Sequence, residues 1–93
     1  EYVPLKAGKN VRYVVPHRMD RESLAEGEVR LQMRVKAPVE APVWVEACAN
    51  GQMLARQAKP YVRPGEMVTL TLNSKIYDEV KKAAELVINV VNR

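Results

Sequence analysis

From Val29 the chain alternates strictly, with Val29, Leu31, Met33 and Val35 on one side and Arg30, Gln32, Arg34 and Lys36 on the other. A period of two is the mark of a strand with one buried side, so "EVRLQMRV" is predicted to be a half-buried strand. Pro38 and Pro42 bracket "PVEAP", which is predicted as a loop because proline donates nothing to a ladder. "VWVEACA" resumes the alternation, with Val43, Val45 and Ala47 inward. It runs into Asn50-Gly51, a pair suited to the two positive-φ positions of a type I′ hairpin turn, and "QMLARQAK" is its return strand. Pro64-Gly65 suits the centre of a type II turn. After it "MVTLTL" places Val68, Leu70 and Leu72 on one side and Thr69 and Thr71 on the other.

The period then changes. In "NSKIYDEVKKAAEL" the apolar residues Ile76, Val80 and Ala83 recur at i, i+4 and i+7, and Asn73 or Ser74 can cap the N-terminus, so a short helix is predicted. "LVINVVN" is β-branched on both faces, as a central strand should be. Near the start, "NVRYVVP" reads as a strand ending at Pro16. About six strands, turn signals between them and one short helix before the last strand predict a mainly β chain: an antiparallel two-sheet β-sandwich, Ig-like or fibronectin-like. The expected core is Tyr13, Val15, Val29, Leu31, Met33, Val35, Val43, Val45, Val68, Leu70, Leu72, Leu86, Ile88 and Val90. Residues 1–10 read as a linker and 11–93 as a single domain.

Ninety-three residues leave room for one core, and the lone Cys48 cannot form an internal disulfide, so packing must supply the stability. No apolar run reaches the length of a membrane helix, and "EYVPLKAGKN" lacks the apolar segment of a signal peptide. A cytoplasmic location without membrane contact is expected. Fifteen basic against eleven acidic residues give a net charge of +4, but the cations are spread singly. Arg30, Arg34 and Lys36 follow one strand, and Glu28 and Glu46 are expected nearby. With aromatics at only 5% there is little for bases to stack on, so no nucleic-acid surface is expected.

Candidate chemistry is sparse. His17, the only histidine, has neither a second histidine nor a cysteine pair near it in sequence, so it reads as a strand-exit residue rather than a metal ligand. Cys48 would need a neighbouring base and an electropositive setting to act as a nucleophile; a small packed side chain is the plainer reading. Asp20 and Glu22 flank Arg21, and these two with Glu26, Glu28, Asp78 and Glu79 pair within no apolar run that would raise a pKa, so they read as solvated. The glycines at 8, 27, 51 and 65 stand singly, without the G-x-G spacing of a phosphate loop. Neither catalytic, cofactor-binding nor metal-binding residues are assigned. Trp44 falls on the strand side opposite Val43 and Val45, where it can serve a second core layer, a half-exposed contact or an anchor for a partner.

"RYVVPHRMD", then "VRLQMRVKAP", then "VWVEACANGQMLARQAKPYVRPGEMVTLTL" resembles the C-terminal region of a bacterial family of FAD/NAD(P)-dependent oxidoreductases of the pyridine nucleotide-disulfide type. A "YVVPQ"-like start, an "RV" strand end and a late "PGEM" recur there in the same order. The resemblance covers about residues 12 to 72. It implies a parent chain whose upstream domains bind FAD and NAD(P), and it makes this segment a non-catalytic accessory or interface domain. His17 stands where the family pattern has Gln, and none of the family's flavin-contacting glycines or redox cysteine motifs has a counterpart here. The expected partner is the remainder of its own chain, with dimer contacts as a further role; Trp44, His17 and Arg18 are the expected interface residues. The alternative is a free-standing Ig-like protein-binding module, which a gene ending near these boundaries would favour.

Overall fold

Strand β4 (Val29–Val35) buries Leu31, Met33 and Val35 completely and turns Arg30, Gln32 and Arg34 outward, as its period predicts. In the computed structural model, which describes residues 1–93, it is one of eight strands. The chain runs β1 (Tyr2–Ala7), β2 (Val11–Val15), β3 (Arg18–Asp20), helix α1 (Arg21–Glu26), β4, β5 (Val39–Ala49), β6 (Gln52–Val62) and β7 (Val68–Leu72). A 3-10 turn (Ser74–Ile76), helix α2 (Tyr77–Lys82) and β8 (Leu86–Asn92) complete it.

The strands form two sheets, in the orders β3-β1-β8-β5-β6 and β2-β4-β7. Every pairing is antiparallel except β1 with β8, which run parallel with Leu5 beside Leu86 and Ala7 beside Ile88. The fold is therefore mainly β, in two mostly antiparallel sheets, with a short helix before the last strand. Both sheets contribute to one core cluster, in which Val45, Ala47 and Ile88 of the large sheet join Leu31, Met33 and Leu70 of the small one.

The segment expected as a linker is a correction. Residues 2–7 form β1 between β3 and β8, and Val3 and Leu5 are buried. Its apolar positions are only two, and it is a strand because two neighbours pair with it. The ladder continues past its end: Gly8 N–H donates to the Ile88 carbonyl and Val90 N–H to that of Lys9. Gly8 lies so close to Asn89, Val87 and the Ile88 backbone that a Cβ there would overlap them.

Tyr13 and Val15, expected in the core, are 36% and 46% exposed. A register shift between Val11 and Tyr13 adds one residue to β2, so Val11 and Val14 face inward instead. A bulge inverts the alternation beyond it, and the sequence pattern alone gives no sign of its position. Val29 is only partly buried at the start of β4.

The predicted loop at "PVEAP" belongs mostly to β5. Its pairing with β6 jumps from Glu40–Tyr61 to Val43–Lys59, and Pro42 falls in that irregularity, where no donor is required of it. Pro60 lies within β6, an edge strand, whose outer side leaves N–H groups without a ladder partner in any case. The hairpin turn is as read, with φ of 55° at Asn50 and 75° at Gly51. The turn at Pro64-Gly65 closes through Glu66 N–H to the Arg63 carbonyl, but Gly65 lacks positive φ, so it is not type II.

Asn73 caps the 3-10 turn by accepting from Lys75 N–H, and Ile76, Val80 and Ala83 are buried as the helical spacing predicts. Helix α1 was not expected. Asp20 caps it by accepting from Glu22 N–H, and Leu24 is its one buried residue, too little for a period to show. Neither helix is long and apolar enough to cross a membrane.

Candidate interaction surfaces

Successive residues of a strand face opposite ways, so with Val43, Val45 and Ala47 buried, Trp44, Glu46 and Cys48 take the outward side of the large sheet. Register places Val91, Asn89 and Val87 of β8 beside them. On the other flank Ala58 of β6 pairs with Trp44 and Arg56 with Glu46. Trp44 is half-buried, and the Arg56 guanidinium lies 4.0 Å above its ring centroid. The indole thus stands on the outer side, shielded by a cation and flanked by Val91, rather than in the core cluster.

Glu46 occupies this outward side yet is only 2% exposed. Arg93 folds over it and donates from Nε at 2.9 Å and from Nη2 at 3.2 Å, a two-pronged pair that satisfies both carboxylate oxygens. Next to it Asn89 presents its Nδ2 to Cys48 Sγ at 3.7 Å and accepts through Oδ1 from Lys9 N–H at 2.7 Å. A shallow hollow of about 320 Å³ opens there, lined by Cys48, Ala49, Asn50, Gly51, Val87 and Asn89. Burial raises the Cys48 thiol above its ordinary value, and the nearby Glu46 charge raises it further, against smaller opposing effects of the Asn89 hydrogen bond and Arg93. A thiol held protonated in this way is a poor nucleophile.

His17 and Arg18 lie at the far edge of the same sheet. The His17 side chain is exposed and its carbonyl accepts from Leu5 N–H at 2.8 Å, which ties the exit of β2 to β1. Arg18 pairs with Pro4 and stacks over the Tyr2 ring at 4.4 Å. From β3 to β5 is three strand spacings, ~14 Å across the sheet, so His17 and Arg18 form one patch and Trp44 another. The first is a basic edge with a stacked tyrosine, and the second is a half-buried indole, stacked by Arg56, next to a buried ion pair.

The expected solvated carboxylates have partners that their sequence neighbours do not reveal. Glu22 accepts from the Tyr77 hydroxyl at 2.8 Å, which joins α1 to α2, and Asp20 is the α1 cap. Glu46, expected near Arg30 and Arg34, is on the other sheet altogether. The importance of Glu46 and Arg93 was not legible, since a carboxylate on an alternating strand reads as exposed and its partner lies 47 positions away.

No three His, Cys, Asp or Glu side chains converge as metal ligands do. A Rossmann-type dinucleotide turn has glycines at a strand-to-helix junction that opens a helix long enough to present its N-terminus to phosphate. Here Gly51 closes a hairpin, Gly8 is packed against β8, and each helix has six residues. No protein-family model matches the chain, and neither a curated protein nor a solved structure matches it.

Proposed function

We propose that these residues form a non-catalytic accessory domain, Ig-like in its sandwich of two sheets, of a cytoplasmic FAD/NAD(P)-dependent oxidoreductase of the pyridine nucleotide-disulfide type. In this reading the parent chain binds FAD and NAD(P) in other domains, and this one packs against that body or a second copy of it. The sandwich reading is supported by the core shared between the two sheets. The parent is suggested by the resemblance of residues 12 to 72.

The observation that carries an interface role is Trp44. A domain whose core closes without its indole nevertheless sets that indole half-exposed on the outward side of the sheet, beside Val91 and on the same strand side as the buried Glu46–Arg93 pair. Trp is favoured where partners meet because one side chain supplies a large apolar area, and a rim of arginines suits the margin of such a contact. His17 and Arg18 serve as a second, polar contact at the β3 edge. The second reading, a free-standing binding module, is favoured by the unpaired outer edge of the eleven-residue strand β6, to which an extended peptide can add a strand.

The test has two parts. The reading frame upstream of Glu1 is expected to encode a strand, a G-x-G-x-x-G turn and a helix; a frame without them sinks the oxidoreductase assignment. In the parent protein, Trp44→Ala should speed proteolytic release of this domain while flavin stays bound. Unchanged release, with the domain itself losing stability, would make Trp44 a packing residue and end the interface reading.

A further inference from the structure

We propose that the outward side of the β2-β4-β7 sheet is a second docking surface, independent of Trp44, whose partner is a carboxylate-rich polypeptide segment. The three strands contain three arginines and no aspartate or glutamate. With Leu31, Met33 and Val35 buried, Arg30, Gln32 and Arg34 face outward. Register sets Arg30 beside Thr71, Gln32 beside Thr69, and Arg34 beside Tyr13, whose hydroxyl accepts from Arg34 Nε at 3.3 Å. Lys59 reaches from β6 to the same side, its Nζ 3.4 Å from Thr69 Oγ1. None of Arg30, Arg34 or Lys59 takes part in an ion pair.

The contrast with the other sheet is what gives this surface its meaning. There Arg93 is paired with Glu46, Arg63 with Glu40, and Arg56 and Arg18 rest on aromatic rings. On the small sheet Arg30, Arg34 and Lys59 have no ion-pair partner and stand among hydroxyl and amide groups. Arg30 and Arg34 are four residues apart on one strand, ~13 Å, which is more than the screening length of ~8 Å at physiological salt. Each guanidinium therefore acts on its own anion. An extended acidic segment lying along β4 offers carboxylates at that same repeat, and each can be gripped by two parallel N–H bonds. A nucleic acid is the poorer fit, because base stacking needs free aromatic faces and the one aromatic here, Tyr13, sits at the edge with its hydroxyl bonded to Arg34.

Fluorescence anisotropy with a short labelled poly-L-glutamate peptide, and with oligo-dT of equal length, tests this on the 93-residue chain. Poly-glutamate should bind at low salt, and R30Q/R34Q should weaken it roughly tenfold or more, as expected for two charge-assisted contacts. K6Q/K82Q, which removes the same charge at exposed positions on β1 and α2, away from this sheet, should not. Amide shifts of the unaltered protein on adding poly-glutamate should concentrate at Arg30, Arg34, Thr69 and Thr71, a readout that does not depend on either variant folding. Equal weakening by both variants would reduce the effect to net charge and overturn the proposal. So would tighter binding of oligo-dT lost in R30Q/R34Q, shifts centred elsewhere, or no poly-glutamate binding at all.

Discussion

Arg21 holds Ala83, with its Nη2 donating to the Ala83 carbonyl at 2.6 Å across 62 positions of sequence. The same guanidinium donates to Val80 from Nε at 3.1 Å and to Tyr2 from Nη1 at 2.8 Å. One side chain, 11% exposed, thus satisfies carbonyls at the end of α2 and on β1. Carbonyls at a helix end lack their usual i+4 donor, so the arginine adds bonds here to the Ala83 carbonyl and to that of Val80, which also accepts from Ala83 N–H at 3.2 Å. Arg21→Ala should lower stability by about 1–3 kcal/mol in a urea titration. Arg21→Lys should recover only part of this, since a single ammonium cannot span three carbonyls.

Gly8→Ala should destabilise by about 1–3 kcal/mol, the usual cost of forcing atoms into a filled site, because its Cβ would meet Asn89, Val87 and the Ile88 backbone. Gly65→Ala, with open space around it, should change stability by no more than about 0.5 kcal/mol. Thermal melts of the two variants compare them. Equal, small effects would mean that residues 1–10 are not packed against β8.

Leu31→Ala should cost about 2–5 kcal/mol, because Leu31 is fully buried in the core cluster and its truncation leaves a cavity there. Gln32→Ala, one residue on and facing outward, should cost less than about 1 kcal/mol. Denaturant midpoints read the difference. Similar losses at the two sites would place β4 in the wrong register.

Cys48 should react slowly with iodoacetamide at neutral pH in the folded protein, and faster once the chain is unfolded in urea. Its raised value in the folded state follows from burial first and Glu46 second. The folded state then holds the proton more tightly than the unfolded one. The contribution to stability is complete below the unfolded thiol's range and is lost as pH rises through the folded value, on the alkaline side. Alkylation that is faster in the folded state would contradict this ordering.

Much of this architecture could be read along the chain because one-sided burial leaves its period in the sequence. Leu31, Met33 and Val35, then Val68, Leu70 and Leu72, are buried in register with their alternation, and Asn50-Gly51 turns where two positive φ values are required. What could not be read depends on neighbours distant in sequence. The segment from Tyr2 to Ala7 is a strand by virtue of β8 and β3, and α1 is held by Asp20, Glu22 and Arg21 rather than by an apolar stripe. Tyr13 and Val15 face outward because of one extra residue upstream of them. For the surfaces, the outward placement of Trp44 followed from alternation, as did the arginines of β4. That Glu46 is remote from those arginines followed only from the assignment of strands to sheets.

The parallel pairing of β1 with β8 governs how the domain answers to mechanical force. The two strands start at the same end, so a pull applied at Tyr2 and at Asn92 slides them lengthwise past each other. The bonds between them, continued by Gly8 and Lys9, are then loaded together in shear. At the open end of the β5-β6 hairpin, where Val39 faces Val62, the same pull would part the bonds one after another. Single-molecule stretching between residues 2 and 92 should therefore need more force than stretching between residues 39 and 62, which makes this fold a stiff link along its chain direction and a weak one across it.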